Sequence, residues 1–467
     1  MTRKVKACVI GAGSAGLFSL SALTRQTKDF VIVNSGHLGT TCARVGCMPS
    51  KVLIQAAEYF HDRAHMQTAG LDGTDQLSVD IPRVLQHVRN LRDTFVGGVM
   101  ANFNKGPAKK LIEGEARFVA ANTIEVNGER IEAEAFILAT GSRPIVPDAW
   151  QGFADRILTT DSLFEQEDLP GNIAVLGLGA IGLEIGQALS RLGIKVTGVD
   201  MADTIGGLDD EAVRDEALKL IGAEFDIWLG APAEVEDNGD GRLKVRAGAR
   251  EVLVDKILVS LGRRPNIDSL DLAAAGVALD KRGMPQINPL TMQIPGTRLF
   301  VAGDSTGDRA LLHEAGDEGR IAGFNALAEN VQDFRRKTPL AIAFCDPNIA
   351  MVGARWSDLK QRSDIAVGER NFDTQARARV MQKNAGLLRI YGDTSDGRLL
   401  GAAMTAPRGE HLAHHLAWAI EQKLTVWDLL AKPFYHPVIE EGLQNALNDL
   451  ASKVGGRPEG LVEVPFA

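Results

Sequence analysis

Two stretches of the sequence decide the fold: residues 7–16 read ACVIGAGSAG, and residues 174–182 read AVLGLGAIG. Each begins as an apolar run of strand length, continues with glycines in the pattern G-x-G-x-x-G, and leads into a helix-like stretch. A second apolar run then ends in a polar residue, Asn34 or Asp200, which in both cases lies 18 positions after the third glycine. Two equal βαβ units of this kind predict two dinucleotide-binding domains.

The three glycines of each pattern have separate physical roles. The first allows a tight turn, the second lets a pyrophosphate approach the backbone, and the third lets the helix pack close to the strand. The pyrophosphate then meets free N–H groups at the positive end of the helix dipole. The predicted cofactor-binding glycines are Gly11, Gly13, Gly16, Gly177, Gly179 and Gly182.

The polar residue that closes the second strand of each unit bears on which nucleotide is bound. Asp200 would hydrogen-bond the adenosine ribose and repel a 2′-phosphate, and no Arg follows within residues 201–208. This favours NAD over NADP in the second unit. Asn34 can still bond a ribose, but it lacks the charge that would exclude a phosphate.

Composition excludes several classes of protein. The 51 Lys and Arg against 60 Asp and Glu give a net charge of −9, which argues against a mainly nucleic-acid-binding protein. No apolar run reaches the roughly 18 residues of a membrane-spanning helix. Residues 7–23 follow basic residues and imitate a secretion signal, but the first βαβ unit explains them better. We therefore expect a cytoplasmic protein without a membrane or nucleic-acid partner.

Further strand-like segments fit a scaffold around the two units. They read FILATGSRP (136–144), ILVSLGRRPN (257–266) and LFVAGD (299–304). Asp304 could accept a hydrogen bond from a ribityl or ribose hydroxyl, or it could be an ordinary helix-cap or turn residue. From about residue 347 the pattern changes: residues 386–392 suggest sheet and 411–424 suggest helix, which predicts a third, α+β domain. EDNGDG (236–241) is interpreted as a hairpin or loop.

Cys42 and Cys47 form a C-x4-C pair. Zinc is a poor interpretation because no further Cys or His ligands lie nearby, and we predict no metal site. In a regular helix the two Cα atoms would be about 8–9 Å apart, whereas a disulfide needs less than about 7 Å. Gly46 and Pro49 can supply the necessary distortion, so an exchangeable disulfide is favoured over two reduced structural thiols. Lys51 is either directed to this pair or is a surface lysine.

His436 and Glu441 are separated by a proline-containing turn near the C-terminus. A carboxylate on one ring nitrogen would fix the histidine tautomer and leave the other nitrogen to act as a base. By spacing alone this signal is weak, and a structural role for the histidine is the alternative.

Taken together, these motifs resemble the flavoprotein disulfide reductases, also named class I pyridine nucleotide–disulfide oxidoreductases, and most of all the dihydrolipoamide dehydrogenases. The resemblance covers essentially the whole chain, and its most specific element is C-x4-C-x-P-S-K. The matching segments, in order, are GAGSAG, TTCARVGCMPSK, ATGSRP, GLGAIGLE, LGRRPN, VAGD, LLHEAGDEG, DPNIAMVG and HPVIEE.

The resemblance implies an α/β protein with two Rossmann-like domains and a C-terminal α+β dimerisation domain. The FAD-binding domain would comprise residues 1–150 and 275–345, the NAD-binding domain 151–274, and the dimerisation domain 346–467. GAGSAG would bind FAD, with Asp304 on the ribityl chain, and GLGAIGLE would bind NAD. Further cofactor contacts are expected from Asn34, Lys51, Thr140, Gly141, Glu184, Asp200, Gly262 and Gly303.

The resemblance also implies roles in catalysis. Cys42 would exchange with substrate and Cys47 would lie beside the flavin. Lys51 and Glu184 would pair near the flavin and nicotinamide. His436, oriented by Glu441, would be the acid–base in the partner subunit's site, so that the active enzyme is a homodimer. The implied reaction is oxidation of dihydrolipoamide, or of a lipoyl group on a carrier protein, with NAD+.

Departures from the family pattern leave the disulfide substrate open. Asn34 stands where an acidic residue is usual, Thr40 where a glycine is usual, Glu314 where a basic residue is common, and Tyr435 where a smaller or polar one is frequent. Reduction of another small disulfide, a quinone or a metal is the alternative. A non-catalytic FAD- or NAD-binding subunit is a further one, but it would not need the two cysteines and the His–Glu pair.

Overall fold

The computed structural model describes residues 2–457, and its first section alternates between strands and helices. Residues 30–34, with the sequence FVIVN, are almost entirely buried, which is typical of a strand in a parallel sheet that helices cover on both faces. The elements of this section are β1 (Thr2–Ile10), α1 (Ser14–Gln26), β2 (Phe30–Asn34), α2 (Thr41–Arg44), α3 (Cys47–His61), α4 (Arg63–Thr68), α5 (Ile81–Asn104), β3 (Leu111–Glu113), β4 (Arg117–Ala120), β5 (Thr123–Val126), β6 (Glu129–Leu138) and β7 (Ser142–Pro144).

The second section repeats this pattern around the second glycine-rich stretch. Its elements are β8 (Ile157–Leu158), α6 (Thr160–Leu163), β9 (Asn172–Leu176), α7 (Ala180–Arg191), β10 (Lys195–Val199), α8 (Glu211–Ile221), β11 (Asp226–Trp228), β12 (Glu234–Asp237), β13 (Leu243–Ala247), β14 (Arg250–Val254), β15 (Lys256–Val259) and β16 (Arg263–Pro265). β12 pairs antiparallel with β13, so residues 236–241 lie at the turn of a hairpin, as predicted.

The last section contains one more strand and helix of the first type and then a different arrangement. Its elements are β17 (Leu299–Val301), α9 (Leu312–Asn325), β18 (Leu340–Ala343), β19 (Asn348–Gly353), α10 (Trp356–Leu359), β20 (Ile365–Asn371), α11 (Ala376–Val380), β21 (Leu387–Asp393), β22 (Leu399–Ala406), α12 (Gly409–Glu421), α13 (Val426–Leu430) and α14 (Glu440–Ala451).

Two sheets with parallel central strands carry the glycine-rich turns, and β5 and β4 extend one edge of the first sheet in antiparallel fashion. The first has the order β3-β2-β1-β6-β5-β4, with β17 also parallel to β6, and the second has the order β11-β10-β9-β15-β8. In each sheet the strand before the glycines, β1 or β9, lies between the strand that follows its helix and a strand from later in the chain. The turns therefore lie at the carboxyl ends of central strands, where ligands bind in such sheets.

The third sheet is antiparallel and has the order β18-β19-β22-β21-β20. α12 and α14 cover it, and their apolar faces share one buried cluster with the strands. The predicted sheet at residues 386–392 corresponds to β21 and the predicted helix at 411–424 to α12. Together, these three largest sheets confirm the prediction of two Rossmann-like domains and an α+β domain. Within residues 2–457, no helix has the length and apolar character that crossing a membrane requires.

Strand pairing and packing suggest domain boundaries that differ by several residues from those expected. β16 pairs with β7, and Leu270 and Leu272 are buried beneath the first sheet, so the chain returns to the first domain near residue 263 and not 275. β18 pairs with β19, so the last domain begins near residue 340 and not 346. We therefore propose boundaries near 263 and 340. The predicted end of the last domain, residues 458–467, lies outside the described residues.

Candidate active site

The two glycine-rich turns have nearly the same geometry. Gly11 and Gly177 have φ of +107° and +93°, in the left-handed region that favours glycine. A Cβ at these positions would lie 2.2 Å and 2.4 Å from a backbone carbonyl oxygen of the adjacent segment. A Cβ on Gly16 or Gly182 would lie 2.0 Å or 1.9 Å from the carbonyl oxygen of the first glycine. Side chains larger than hydrogen are thus excluded where strand, turn and helix meet.

The second glycine of each turn faces open space. A Cβ on Gly13 or Gly179 would meet nothing within 4 Å. α1 and α7 begin directly after these glycines, and no side chain caps their first N–H groups. Free N–H groups at a helix N-terminus beside open space fit a pyrophosphate. Both turns therefore fit a dinucleotide.

The polar residues that close the second strand of each unit bind their own turn. Asn34 Oδ1 accepts a hydrogen bond from the N–H of Ala12 at 2.9 Å, and Asp200 Oδ2 accepts one from the N–H of Leu178 at 2.6 Å. Ala12 and Leu178 are equivalent, because each lies between the first two glycines. The other Asp200 oxygen accepts a hydrogen bond from the N–H of Ala202 at 2.9 Å. These residues thus order the turns in addition to the ribose contacts expected of them.

Asp200→Asn is expected to weaken discrimination against NADPH. Asn34 shows that an amide oxygen can accept the turn's hydrogen bond, so this substitution removes the charge and keeps the bond. We expect the ratio of kcat/KM for NADH over NADPH to fall by about tenfold or more, because the carboxylate no longer repels the 2′-phosphate. Steady-state assays measure this ratio. The control is Asp203→Asn, which removes the charge of a nearby exposed carboxylate. An unchanged ratio in Asp200→Asn would show that Asp200 does not select the nucleotide.

Cys42 and Cys47 lie on either side of a break between two helices. α2 ends at Arg44 and α3 begins at Cys47. Gly46, just before α3, has φ −119° and ψ −115°, which is far from helical. The break agrees with the expectation that the two cysteines do not share a regular helix. Thr40 caps the N-terminus of α2, and its hydroxyl accepts a hydrogen bond from the N–H of Ala43.

The two cysteines are free thiols in the structure, so the predicted disulfide is not formed in it. This dithiol form is what a redox-active disulfide becomes on reduction. A hydrogen bond from the Cys42 thiol lowers the pKa of Cys47 to about 7, and the charge of Lys51 also lowers this pKa, while burial opposes both. The same hydrogen bond and burial raise the pKa of Cys42. Cys47 is therefore the thiol that ionises first.

The low pKa of Cys47 predicts a thiolate near neutral pH. In the reduced protein we expect one thiol to ionise with a midpoint near pH 7, with the thiolate present above this pH and lost as the pH falls below it. Thiolate ultraviolet absorbance measures the midpoint. Cys42→Ala should raise it, because the hydrogen bond to Cys47 is lost. Cys345→Ala should leave it unchanged, since burial raises the pKa of Cys345 to about 12. A midpoint at or above about 8.5, the ordinary value for cysteine, would contradict this assignment.

Lys51 and Glu184 form an ion pair between α3 and α7. Lys51 Nζ lies 2.7 Å from Glu184 Oε2. The second carboxylate oxygen, Oε1, accepts a hydrogen bond from the N–H of Phe344 at 2.8 Å. Lys51 Nζ also lies 4.6 Å from the centre of the Phe344 ring, close enough for a cation–π contact. We did not predict Phe344 from the sequence, because nothing in its local pattern links it to either residue.

Asp304 lies in a short 3-10 turn, Gly303–Thr306, directly after β17. Asp304 Oδ2 accepts a hydrogen bond from Ser142 Oγ at 2.6 Å. Ser305 Oγ accepts one from the N–H of Gly141 at 2.9 Å. The turn is therefore tied to the segment that follows β6. We did not predict Ser142 and Ser305, whose partners are more than 160 positions away in the chain.

A cleft of about 250 Å³ brings many of the predicted residues together. Those that line it are Gly13, Cys42, Cys47, Lys51, Gly141, Glu184, Gly303 and Asp304. The predicted positions that do not line it are Gly11, Gly16, Asn34, Thr140, Gly177, Gly179, Gly182, Asp200, Gly262, His436 and Glu441. The Thr140 hydroxyl nevertheless lies 3.4 Å from Ser305 Oγ, directly behind the cleft wall. The cleft thus joins the first glycine-rich turn to the thiol pair.

His436 and Glu441 form a pair away from this cleft. His436 Nδ1 lies 2.8 Å from Glu441 Oε1, and the second carboxylate oxygen accepts a hydrogen bond from the N–H of Val438. The His436 side chain is 74% exposed. The hydrogen bond to His436 lowers the pKa of Glu441. A charged carboxylate on Nδ1 leaves Nε2 available to accept a proton.

Two domains with glycine-rich turns, a thiol pair and an exposed His–Glu pair are the features expected of one class of enzymes: flavin- and pyridine-nucleotide-dependent dithiol–disulfide oxidoreductases. Comparison with known families agrees. Residues 5–319 match the model for pyridine nucleotide-disulphide oxidoreductases, and residues 339–447 match the model for their dimerisation domain. The chain belongs to the pyridine nucleotide-disulphide oxidoreductase family.

Curated relatives match nearly the whole chain. A dihydrolipoyl dehydrogenase from Thermus scotoductus is 32% identical, over 95% of this chain and 96% of that protein. A mercuric reductase from Lysinibacillus sphaericus is 30% identical, over 94% of this chain and 81% of that protein. Relatives with different substrates are thus similar to nearly the same degree.

Solved structures share the fold. The crystal structure of LpdA from Mycobacterium tuberculosis has a TM-score of 0.82 at 25% identity, covering 96% of this chain and 100% of that chain. The flavoprotein disulfide reductase RclA from Escherichia coli also has a TM-score of 0.82, at 24% identity and with 96% and 100% coverage, and this likeness concerns the fold alone. Members of the family use FAD and NAD(P), and the dimerisation domain indicates a homodimer. The protein is an oxidoreductase of this family.

Proposed function

We propose that the protein oxidises a dithiol to its disulfide with NAD+, and that the dithiol is dihydrolipoamide, free or as the lipoyl group of a carrier protein. The observation that carries this proposal is the Cys42–Cys47 thiol pair in one cleft with Lys51 and Glu184. Relatives named dihydrolipoyl dehydrogenase support the choice of substrate. Asp200 supports the choice of NAD.

The cysteines perform the exchange in two steps. A substrate thiolate attacks Cys42 Sγ of the oxidised pair, the Cys42–Cys47 bond breaks, and Cys47 leaves as a thiolate. The low pKa of Cys47, about 7, makes it a good leaving group. The second substrate thiolate then attacks the substrate sulfur bound to Cys42. The substrate disulfide forms and Cys42 leaves as a thiolate. The Cys42–Cys47 pair has then gained two electrons from the substrate.

The substrate thiols must lose their protons before they attack. We assign this role to His436 of the partner subunit, because in this chain His436 is exposed and does not line the cleft with Cys42. Glu441 holds the ring by Nδ1, so that Nε2 accepts the proton. The match to the dimerisation domain supports this arrangement.

The residues of the cleft fit FAD. The turn at Gly13 would hold the pyrophosphate and Asp304 the ribityl hydroxyls, while Cys47 and Lys51 lie in the same cleft wall. When bound, FAD supplies the transfer of two electrons between a dithiol and a pyridine nucleotide. Lys51 places a positive charge beside Cys47 and stabilises its thiolate.

Substrate comparison tests the proposal. Purified enzyme is assayed with dihydrolipoamide and NAD+ or NADP+, and in the reverse sense with NADH or NADPH against lipoamide, glutathione disulfide, quinones and mercuric ion. We expect the highest kcat/KM with lipoyl substrates and NAD(H). A kcat/KM about 100-fold higher with any other acceptor would overturn the lipoyl assignment. Protein that carries flavin but turns over none of these compounds would overturn the enzymatic role.

A further inference from the structure

A buried carboxylate lies behind the turn that carries Asp304. Glu318 of α9 has a side chain that is only 1% exposed. Its Oε2 accepts a hydrogen bond from the backbone N–H of Gly303 at 2.8 Å. Its Oε1 accepts one from Arg336 Nη2, also at 2.8 Å. Both oxygens are therefore used, and one of them holds the residue directly before Asp304.

A second buried carboxylate shares the same arginine. Glu314, one helical turn before Glu318, is the acidic residue that stands where a basic one is common in the family. Its Oε1 accepts a hydrogen bond from Arg309 Nη1 at 2.8 Å, and its Oε2 lies 2.5 Å from Arg336 Nη2. Arg309 and Arg336 lower the pKa of Glu314, whereas burial raises that of Glu318. Two carboxylates and two guanidinium groups thus balance in charge.

This network connects to the cleft in two ways. The first turn of α9 contributes Leu312 and Ala315 to the cleft wall, and Gly303 contributes from the 3-10 turn that follows β17. The space at Gly303 is restricted, because a Cβ there would lie 2.8 Å from the Ala15 Cβ of α1. A shift of the 303–306 turn would therefore break the Glu318 hydrogen bond and leave a buried carboxylate underpaired, which is unfavourable.

We propose that Glu318 is a positioning residue for the cofactor. It holds the Gly303–Thr306 turn so that Asp304 presents its carboxylate to the cleft, and Arg336, which also binds Glu314, holds the other Glu318 oxygen in place. The inference rests on the proposed function only in assigning the cleft to FAD. Glu314 is then part of a compensated network, and its departure from the usual basic residue is matched by Arg309 and Arg336.

Flavin binding in purified holoenzyme tests this role. The variants are Glu318→Gln, which keeps the shape and loses the charge, and Arg336→Met. Asp317→Asn is the matched control, because Asp317 lies on the same helix and bonds only Arg320 and Lys337. We expect Glu318→Gln and Arg336→Met to raise the FAD dissociation constant by about tenfold or more and to shift the flavin visible spectrum. Asp317→Asn should change the constant by less than about twofold, and Arg336→Lys should recover part of the loss.

The outcomes separate this inference from the proposed function. Unchanged FAD dissociation constants and spectra in folded Glu318→Gln and Arg336→Met would overturn the positioning role of Glu318. Catalysis by the wild-type protein would still support the proposed function. If Glu318→Gln does not fold, the comparison of Arg336→Met with Arg336→Lys decides in the same way. Equal losses of FAD affinity in Asp317→Asn and Glu318→Gln would also overturn it, because a general effect on α9 would then explain both. Wild-type protein that binds no FAD would contradict the proposed function itself.

Discussion

Cys47→Ser is expected to lower dihydrolipoamide oxidation by about 10⁴-fold or more, because serine cannot form or break the disulfide with Cys42. Cys47 is also the thiol with the low pKa, so no other group in the cleft replaces it as leaving group. Cys42→Ser should cause a loss of the same order, since it removes the sulfur that the substrate attacks. Steady-state turnover with NAD+ measures both losses.

Cys345→Ser is the matched control for these variants. Cys345 is buried and its pKa is raised to about 12, so the same chemical change there should leave turnover near the wild-type value. Retention of FAD in all three proteins must be verified by the visible spectrum. A Cys47→Ser enzyme that kept more than about a hundredth of wild-type turnover would contradict the thiol-exchange mechanism.

His436→Gln is expected to lower dihydrolipoamide oxidation by about 10²- to 10⁴-fold, the usual contribution of a positioned general base. Glutamine removes the imidazole ring, while the pair with Glu441 is lost only in part, because an amide N–H can still donate to its carboxylate. The control is His415→Gln, which should have no effect on turnover, because His415 is an exposed histidine on α12. Normal turnover in His436→Gln would exclude His436 as the base.

Mixed dimers distinguish action within one subunit from action across the interface. Cys42→Ser and His436→Gln subunits are each inactive alone. If His436 serves the partner subunit, a mixed dimer has one intact site and one doubly defective site, so an equal mixture recovers about a quarter of the wild-type activity. If His436 serves its own subunit, no mixture recovers activity. Refolded or co-expressed mixtures with two different tags measure the difference.

The parts of the molecule that were predictable are those with a local physical signal. The glycine-rich turns follow from steric limits at Gly16 and Gly182, whose local partners are the carbonyl oxygens of Gly11 and Gly177, and the break before Cys47 follows from helix geometry. The hairpin at residues 236–241 follows from its turn residues. Each of these depends on neighbours within a few positions, which the sequence shows directly.

The parts that were not predictable depend on contacts between distant segments. Phe344 reaches Glu184 across 160 positions, and Ser142 reaches Asp304 across 162. The domain edges that we propose differ from the expected ones because β16 pairs with the distant β7 and β18 pairs with β19 of the antiparallel sheet. The Glu314 departure could be seen in the sequence, but Arg336 as its partner could not, because the pairing depends on how the segment before β18 folds back onto α9.

Glu184 links the three domains, so that their local unfolding is coupled at this point. Its two oxygens bind Lys51 from the first domain and the backbone of Phe344 from the third, while its own helix belongs to the second. Any opening that lifts the second domain from the others must break both bonds at once. Native-state hydrogen exchange should therefore detect the Phe344 amide and the hydrogen-bonded amides of α7 opening together, as one cooperative unit that crosses all the domain borders.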